Sequence, residues 1–237
     1  VGLVLSFIVY NNEISQNLDL IIENTPQIPP SNIEYEIVPI DGGENLTKIK
    51  GFNDIEISFD FAYKAIPEEY LMKKARIDGW LLGNINKNLV YSLDNFSLYK
   101  VKRISIGQTS TASRILRRFT VTFICEGLKY MLSGFERVTI TTTGTILNNF
   151  GSYEAKPIIK IYGTGTITVN INGKSFTVSS VGSYVTVNSV LKECYKDSTN
   201  RGKYMTGDYP ILHRGQNAIS WTGTVTKLEI IPNWRCY

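Results

Sequence analysis

Histidine is almost missing from this chain: His213 is the only one in 237 residues. Every metal centre or acid–base arrangement that needs two imidazoles is thereby excluded. Cysteine is also sparse. Cys125, Cys194 and Cys236 are odd in number, far apart and without a C-x-x-C pair, which indicates neither a disulfide framework nor a thiolate metal site and fits a reducing compartment. No apolar run reaches the ~20 residues of a membrane-spanning helix. The apolar opening, Val1 to Tyr10, lacks a basic leading region and a small-residue cleavage site, so it reads as a strand, and no membrane association is expected. Because the first residue is Val1 and not Met, removal of something upstream is expected.

What is present describes an ordinary globular chain: 43% hydrophobic residues, 19% charged, and a mean hydropathy of −0.07. Its length suits two domains, each able to bury a core. The net charge of +4 is uneven, with 14 basic against 15 acidic residues in 1–132 and 11 against 6 in 133–237. Without a Lys/Arg block, that excess falls short of a nucleic-acid footprint and reads as a solvated basic surface.

In the first half, a strand over Leu3–Tyr10 is followed by a turn at Asn11-Asn12. A connection through Pro26, Pro29 and Pro30 then excludes a central strand. A strand is predicted over Ile33–Ile40, with a turn at Asp41-Gly42-Gly43. From Ile55 to Tyr63, Ile55, Ile57, Phe59 and Phe61 alternate with Glu56, Ser58 and Asp60, the period of a half-buried strand. From Pro67, the acidic Glu68 and Glu69 followed by Lys73, Lys74 and Arg76 predict one helix ending near Gly79, with Tyr70, Leu71, Ala75 and Trp80 as its buried stripe. Strands resume at Leu89–Leu93, Tyr99–Ile106 and Phe119–Cys125, with a Ser/Thr-rich loop from Gln108 to Ser113 before the last. Lys100, Lys102 and Arg118 fall on their solvent faces.

Composition changes after Met131, and the domain boundary is placed between residues 132 and 133. Beyond it Thr, Gly, Ile and Val dominate. Short strands over Val138–Ile146, Lys156–Tyr162, Gly165–Ile171, Lys174–Val178, Ser183–Val187 and Thr224–Ile231 suggest a β-sandwich. Asn172-Gly173 joins two alternating segments as a two-residue hairpin turn. Thr-Gly-Thr recurs at Thr143, Thr164 and Thr222 with irregular spacing, which reads as strand-entry chemistry and not a repeat.

The candidate chemical motifs each fail on inspection. Asn172-Gly173-Lys174-Ser175 ends like a phosphate loop, but the required earlier glycine is Thr168. Tyr162-Gly163-Thr164-Gly165 lacks the third glycine and the following helix of a dinucleotide fingerprint, and reads as a tight turn. His213 has no Ser or Cys nucleophile motif to serve. Asp54, Glu56 and Asp60 alternate along one strand as a solvated face instead of pairing for glycoside chemistry. Trp80, Trp221 and Trp234 read as core or interface residues before sugar platforms, and the sequons at Asn45 and Asn95 matter only in a secreted protein. No catalytic, cofactor-binding or metal-ligating residue is therefore nominated, and no enzyme activity or cofactor is expected.

The order of these pieces resembles the distal tail proteins of long-tailed bacteriophages infecting Gram-positive hosts. The Ile55–Phe61 strand, Arg76-Ile77-Asp78-Gly79-Trp80-Leu81, Leu89-Val90-Tyr91-Ser92, Tyr99-Lys100-Val101 and Phe119–Glu126 carry it in the first half. Tyr153–Gly163, Ile171-Asn172-Gly173, Gly207–Leu212, Gly215–Trp221 and Pro232-Asn233-Trp234-Arg235 carry it in the second. The resemblance implies a mainly β fold: an N-terminal β-sandwich or barrel-like ring-forming domain with one helix (1–132) and a C-terminal galectin-like β-sandwich (133–237). It further implies a homo-hexameric hub at the phage tail tip, made in the host bacterial cytoplasm, with DNA passing through a central channel without specific binding. Its expected partners are the tail tube protein, a tail-associated lysin or tail fibre protein, and in some relatives a receptor-binding protein. The chain has no segment long enough for the inserted arm or carbohydrate-binding module of longer relatives, which argues against a direct host-sugar role. A lectin-like protein acting through the C-terminal sandwich is the alternative, and a degenerate glycan-acting enzyme a more distant one. The Pro-rich 12–50 stretch is expected to clasp a neighbouring subunit.

Overall fold

The computed structural model describes residues 6–83 and 87–237. Among them strands dominate and one α-helix is present. The chain divides into two compact units, the first ending at Lys129 and also taking in Tyr237, the second spanning Tyr130–Cys236.

The first unit opens with β1 (Ile8–Tyr10) and β2 (Glu13–Ile14), joined by Asn11 and Asn12 at φ 52° and 64°. A two-residue turn that matches strand twist needs positive φ at both positions, which asparagine tolerates better than other non-glycine residues. Leu3 to Leu5 of the predicted first strand lie outside the described residues. There follow β3 (Ile21–Ile22), β4 (Ile33–Val38), β5 (Leu46–Phe52), β6 (Ile55–Lys64), helix α1 (Tyr70–Leu82), β7 (Asn88–Tyr91), β8 (Asp94–Ile106), β9 (Ser110–Thr111) and β10 (Leu116–Cys125). The main sheet runs β2-β1-β7-β8-β10-β6-β3. Along β6 and β10 the register sets Phe61 opposite Phe119, Phe59 opposite Val121 and Ile57 opposite Phe123 on the buried face. Ser58–Thr122 and Asp60–Thr120 face outward. This is the alternation read from the sequence, carried into a cross-strand ladder.

Helix α1 departs from expectation at both ends and on its buried side. It starts three residues after Pro67 and runs through Gly79 to Leu82. Ile77, Trp80 and Leu81 are buried and Tyr70 packs against the same core, whereas Leu71 and Ala75 point to solvent. The core-facing positions include Lys73 and Lys74, which disguise the stripe. Both are half-buried, and their ammonium groups meet polar partners, Lys73 the Lys64 carbonyl (3.1 Å) and Lys74 the Asp78 carboxylate. Trp80 locks the helix end: its indole donates to the Tyr10 carbonyl (2.8 Å), and Asn11 Nδ2 donates to the Trp80 carbonyl (3.0 Å). Gly79, by contrast, is exposed, and a Cβ there would meet nothing within 4 Å. A glycine in mid-helix costs about 1 kcal/mol against alanine, and among the described residues nothing crowds the position.

Among the described residues, strands β4 and β5 pair only with each other, across a turn in which Gly42 sits at φ 73°. Strand β5 was not expected from the sequence, where Leu46–Phe52 mixes lysines with isolated apolar residues.

The second unit comprises β11 (Lys129–Met131), β12 (Val138–Ile140), β13 (Thr145–Asn149), β14 (Ile158–Ile171), β15 (Lys174–Val181), β16 (Tyr184–Asn188), β17 (Glu193–Lys196), β18 (Thr199–Asn200), β19 (Met205–Gly207), β20 (Gly215–Ile231) and β21 (Arg235–Cys236). The long β14 and β20 pair along their length. At one end they are flanked by β16 and β12, at the other by β15 and β13. Ile159, Ile161, Val169, Val178, Val187 and Leu228 from both ends meet in one core, as in a sandwich.

Between the ends, β14 and β20 bend at register shifts after Tyr162 and Thr164. Tyr162-Gly163-Thr164-Gly165 is therefore a bulge inside one strand, not the tight turn expected, and Lys156–Tyr162 and Gly165–Ile171 belong to a single element. Gly165 and Gly223 adopt φ 80° and 97°. A Cβ on Gly163 would collide with the Thr224 carbonyl. Two of the three Thr-Gly-Thr triplets are thus corners where backbones close on each other, and only Thr143-Gly144-Thr145 enters a strand. Gly144 splits the expected Val138–Ile146 strand into β12 and β13.

On the outward face of β14 and β20, Glu229 accepts from Lys227 (2.6 Å) and Tyr162 (3.1 Å) and pairs with Arg137 (3.2 Å). The Lys227 hydrogen bond, opposed by burial and aided by Tyr162 and Arg137, holds its carboxyl below the ordinary 4.5. A carboxylate with a depressed folded-state pKa stabilises the fold above its unfolded pKa, and that stability disappears as pH falls through the folded value. Denaturant midpoints measured from pH 6 down to pH 2 are expected to show an acid limb below about pH 4 that is shallower in Glu229→Gln. Identical limbs in the two proteins would contradict this.

Candidate functional site

The residues weighed for chemistry are spread over both units. His213 is exposed, and its backbone N–H and carbonyl are both bound by the Asn217 side chain (2.8 and 2.9 Å). Asp54 pairs with Lys102, and Asp60 accepts from Thr120 (2.7 Å) and Asn24 (3.2 Å), so these carboxylates are tied into the outer face of their sheet. Trp80 and Trp234 are buried, and Trp221 is half-buried against the core of the second unit. The Asn172-Gly173 turn is a hairpin turn, with φ 53° and 84°. All three cysteines are free. Burial pushes the Cys125 thiol up to about 12, so at neutral pH it carries almost no thiolate. Among the described residues no group of three or more His, Cys, Asp or Glu could hold a metal ion, and no helix is long and apolar enough to cross a membrane.

The second unit has a cavity of about 600 Å³ beside His213, lined among others by Lys174, Lys192, Asp208 and Tyr209. The sequence reading weighed His213 and the Asn172-Gly173-Lys174-Ser175 turn separately and missed that they share a cavity, because Lys174 opens β15 while Lys192 and Asp208 lie in other connections.

The distinctive surface lies in the first unit, where apolar side chains stand in solvent on two elements. The β4–β5 hairpin sets Tyr35 opposite Ile49 and Ile37 opposite Thr47 on one face. On its other face Glu36 lies opposite Lys48, and Glu34 pairs with Lys50 (2.6 Å). Tyr35, Ile37 and Ile49 are each more than half exposed. An isolated two-stranded sheet is marginal in water and is stabilised by packing its apolar face on something else. The outward side of α1 repeats the pattern: Leu71 is 74% exposed, Met72 69% and Leu82 68%, with Ala75 and Gly79 between them. An amphipathic helix normally leaves its second face polar. Scattered exposed apolar residues need no explanation, but contiguous ones on two elements mark interaction surfaces. These two faces are the candidate interaction surface of the first unit.

Comparison with known proteins bears on what would be assembled. No protein-family model matches the chain, and no curated protein matches it. Among solved structures, it is similar to the SPP1 Dit (gp 19.1) protein, described as a paradigm of hub adsorption apparatus in Gram-positive infecting phages. The match has a TM-score of 0.71 at 13% sequence identity and covers 95% of this chain and 98% of that one. Over that coverage, which takes in both compact units, the chain has the fold of the SPP1 Dit protein.

Proposed function

We propose that this protein is a structural component of the distal tail of a long-tailed bacteriophage. In this reading six copies close into a ring whose central channel passes DNA without binding it specifically. The first unit forms the ring and the second, galectin-like unit stands as a separate module. The ring joins the tail tube protein on one side to a tail-associated lysin or tail fibre protein on the other, with receptor-binding proteins as further partners, and the protein resides in the virion after synthesis in the bacterial cytoplasm. The observation that carries this is the match of fold across both units to a phage hub adsorption protein. The uncovered hairpin and helix faces support it, because a head-to-tail ring needs two different patches on each subunit. No catalytic role is assigned.

Negative-stain electron microscopy of the purified protein, paired with solution mass across a concentration series, tests the proposal. A six-fold ring with a central hole is the expected result, and a chain that stays monomeric throughout counts against it. Deleting Pro26–Asn32, which leads into the hairpin, is expected to abolish the ring while leaving a folded monomer by circular dichroism. A ring that survives the deletion would show that the hairpin is not the clasp.

A second reading, a lectin acting through the second unit, draws on the cavity beside His213, where cationic, acidic and aromatic groups converge. Glycan-array binding abolished by Asp208→Ala would favour it. The tryptophans do not serve it, since two are buried and the third packs against the core.

A further inference from the structure

The cavity beside His213 brings an apolar wall and free charges together. Ile171, Phe176 and Pro210, all buried, supply the wall, while Lys174, Lys192, Asp208 and His213 stand exposed around it. Its volume of about 600 Å³ is that of a small-molecule pocket. Among the described residues, the side chains of those four exposed residues have no hydrogen-bond, ion-pair or ring partner. Other lysines of the same unit are engaged. Lys227 binds Glu229 (2.6 Å), Lys196 binds Ser183 (2.9 Å), Lys160 lies 4.0 Å from the centre of the Tyr184 ring, and Lys203 lies 4.9 Å from that of Tyr204.

The backbone that carries the free groups is fastened. Lys174 follows the Asn172-Gly173 turn, which the Asn172 side chain ties to Asn217 (2.7 Å) and to the Ala218 N–H (2.9 Å). Lys192 sits at φ 55°, in the left-handed region, and the connection leading to it is held by Asn188 Oδ1, which accepts from the Val190 and Leu191 N–H groups (3.0 and 3.1 Å). Asp208 stands between β19, which pairs with β15, and Leu212, whose N–H and carbonyl both bond to Ala155 (2.9 and 2.8 Å). Groups held in place before a ligand arrives lose little freedom on binding it.

We infer that this cavity binds a sugar phosphate. The Lys174 and Lys192 ammonium groups offer charge-assisted donors to phosphate oxygens. The Asp208 carboxylate only accepts, so it suits the hydroxyls of the same ligand, and the apolar wall suits the C–H face of its ring. A bare anion would meet repulsion from Asp208 and leave the wall uncovered, and a neutral sugar would leave both lysines without a partner. Lys174-Ser175, which fails as a phosphate loop, thus acquires a phosphate-facing role from a hairpin. The inference sharpens the lectin reading of this cavity by giving its ligand a charge, and it does not depend on the ring.

The test is isothermal titration calorimetry of the full-length chain with glucose 6-phosphate, its methyl phosphodiester, inorganic phosphate and glucose. The monoester stands for a free sugar phosphate and the diester for a phosphate-linked sugar chain. Binding of either supports the inference, and the tighter of the two identifies the source. Glucose and inorganic phosphate are each expected to bind at least about tenfold more weakly, the fold-change of one charge-assisted hydrogen bond. Lys174→Ala and Lys192→Ala should each weaken the sugar phosphate by about tenfold, while Lys156→Ala, a lysine of the same unit outside the cavity, leaves it unchanged. Asp208→Ala is expected to act with opposite signs, weakening the sugar phosphate and strengthening inorganic phosphate, which general damage to the fold would not produce. Glucose binding as tightly as its phosphate overturns the inference and leaves the lectin reading standing. Inorganic phosphate binding as tightly, or an equal loss in Lys156→Ala, would reveal unspecific attraction to a basic surface and also overturn it. No heat from any of the four probes overturns it as well.

Discussion

Asn217→Ala is expected to destabilise the second unit by about 3 kcal/mol or more, among the larger losses a single polar truncation produces. Asn217 has no exposed surface. Its Oδ1 accepts from the His213 N–H (2.8 Å) and from Asn172 Nδ2 (2.7 Å). Its Nδ2 donates to the carbonyls of His213 (2.9 Å), Gly215 (3.0 Å) and Leu147 (3.3 Å), two hydrogens being shared among three acceptors. One side chain thus fastens the 213–215 loop, strand β13 and the β14–β15 hairpin turn. The turn is held a second time, because Asn172 Oδ1 accepts from the Ala218 N–H (2.9 Å). Truncation strips several part-buried backbone groups of this partner, at up to about 1–3 kcal/mol each where water does not replace it. Asn217→Asp separates shape from chemistry: a carboxylate keeps both acceptor roles and loses every donor, so it is expected to be nearly as damaging. Urea midpoints give the magnitude, and faster amide exchange at His213 and Ala218 would locate it. A loss below about 1 kcal/mol in both variants would show that the network is replaceable.

The second large effect is expected in the first unit, where Phe59→Ala should cost about 3–5 kcal/mol. Phe59 is fully buried on β6, with ring centroids of Tyr91 at 5.4 Å, Phe123 at 5.9 Å and Phe61 at 6.0 Å. Those rings belong to β7, β10 and β6, so removing Phe59 opens a void that three strands would have to shift to fill. Edge-to-face contacts with Tyr91 and Phe123 add to the area term. Phe59→Leu, which leaves a smaller void, is expected to lose less than half as much. Equal losses in the two variants would mean that aromatic geometry, and not volume, sets the cost. Amide exchange resolved by peptide should show the loss in β6, β7 and β10.

These effects sit on features of unequal visibility in the sequence. The alternation of Ile55, Ile57, Phe59 and Phe61 marks a half-buried strand because side chains alternate strictly along an extended backbone. Asn217 shows no pattern of its own: a buried asparagine looks like a loop asparagine until the carbonyls it serves, Leu147 among them, are brought to it. The cavity beside His213 was equally hidden, since its charged residues, Lys174 on β15 and Lys192 and Asp208 in two connections, come from separate parts of the chain. The assembly surface was half visible. The proline-rich approach at Pro26–Pro30 suggested an extension, but Leu71 and Ala75 were assigned to the core when they face outward.

By itself the sequence determined the mainly β character, the sharp turns at Asn11-Asn12 and Asn172-Gly173, and the scarcity of histidine and cysteine. The first two depend on a residue's own backbone preference or on its period with near neighbours. Only the tertiary structure decided which side of α1 is buried, because Lys73 and Lys74 can cover a core once partners for their ammonium groups lie within reach. It also decided that Gly163 and Gly223 make corners in two paired strands and not reversals. A glycine permits the left-handed or closely approached backbone, but the strand across from it determines whether the chain turns back or bends on.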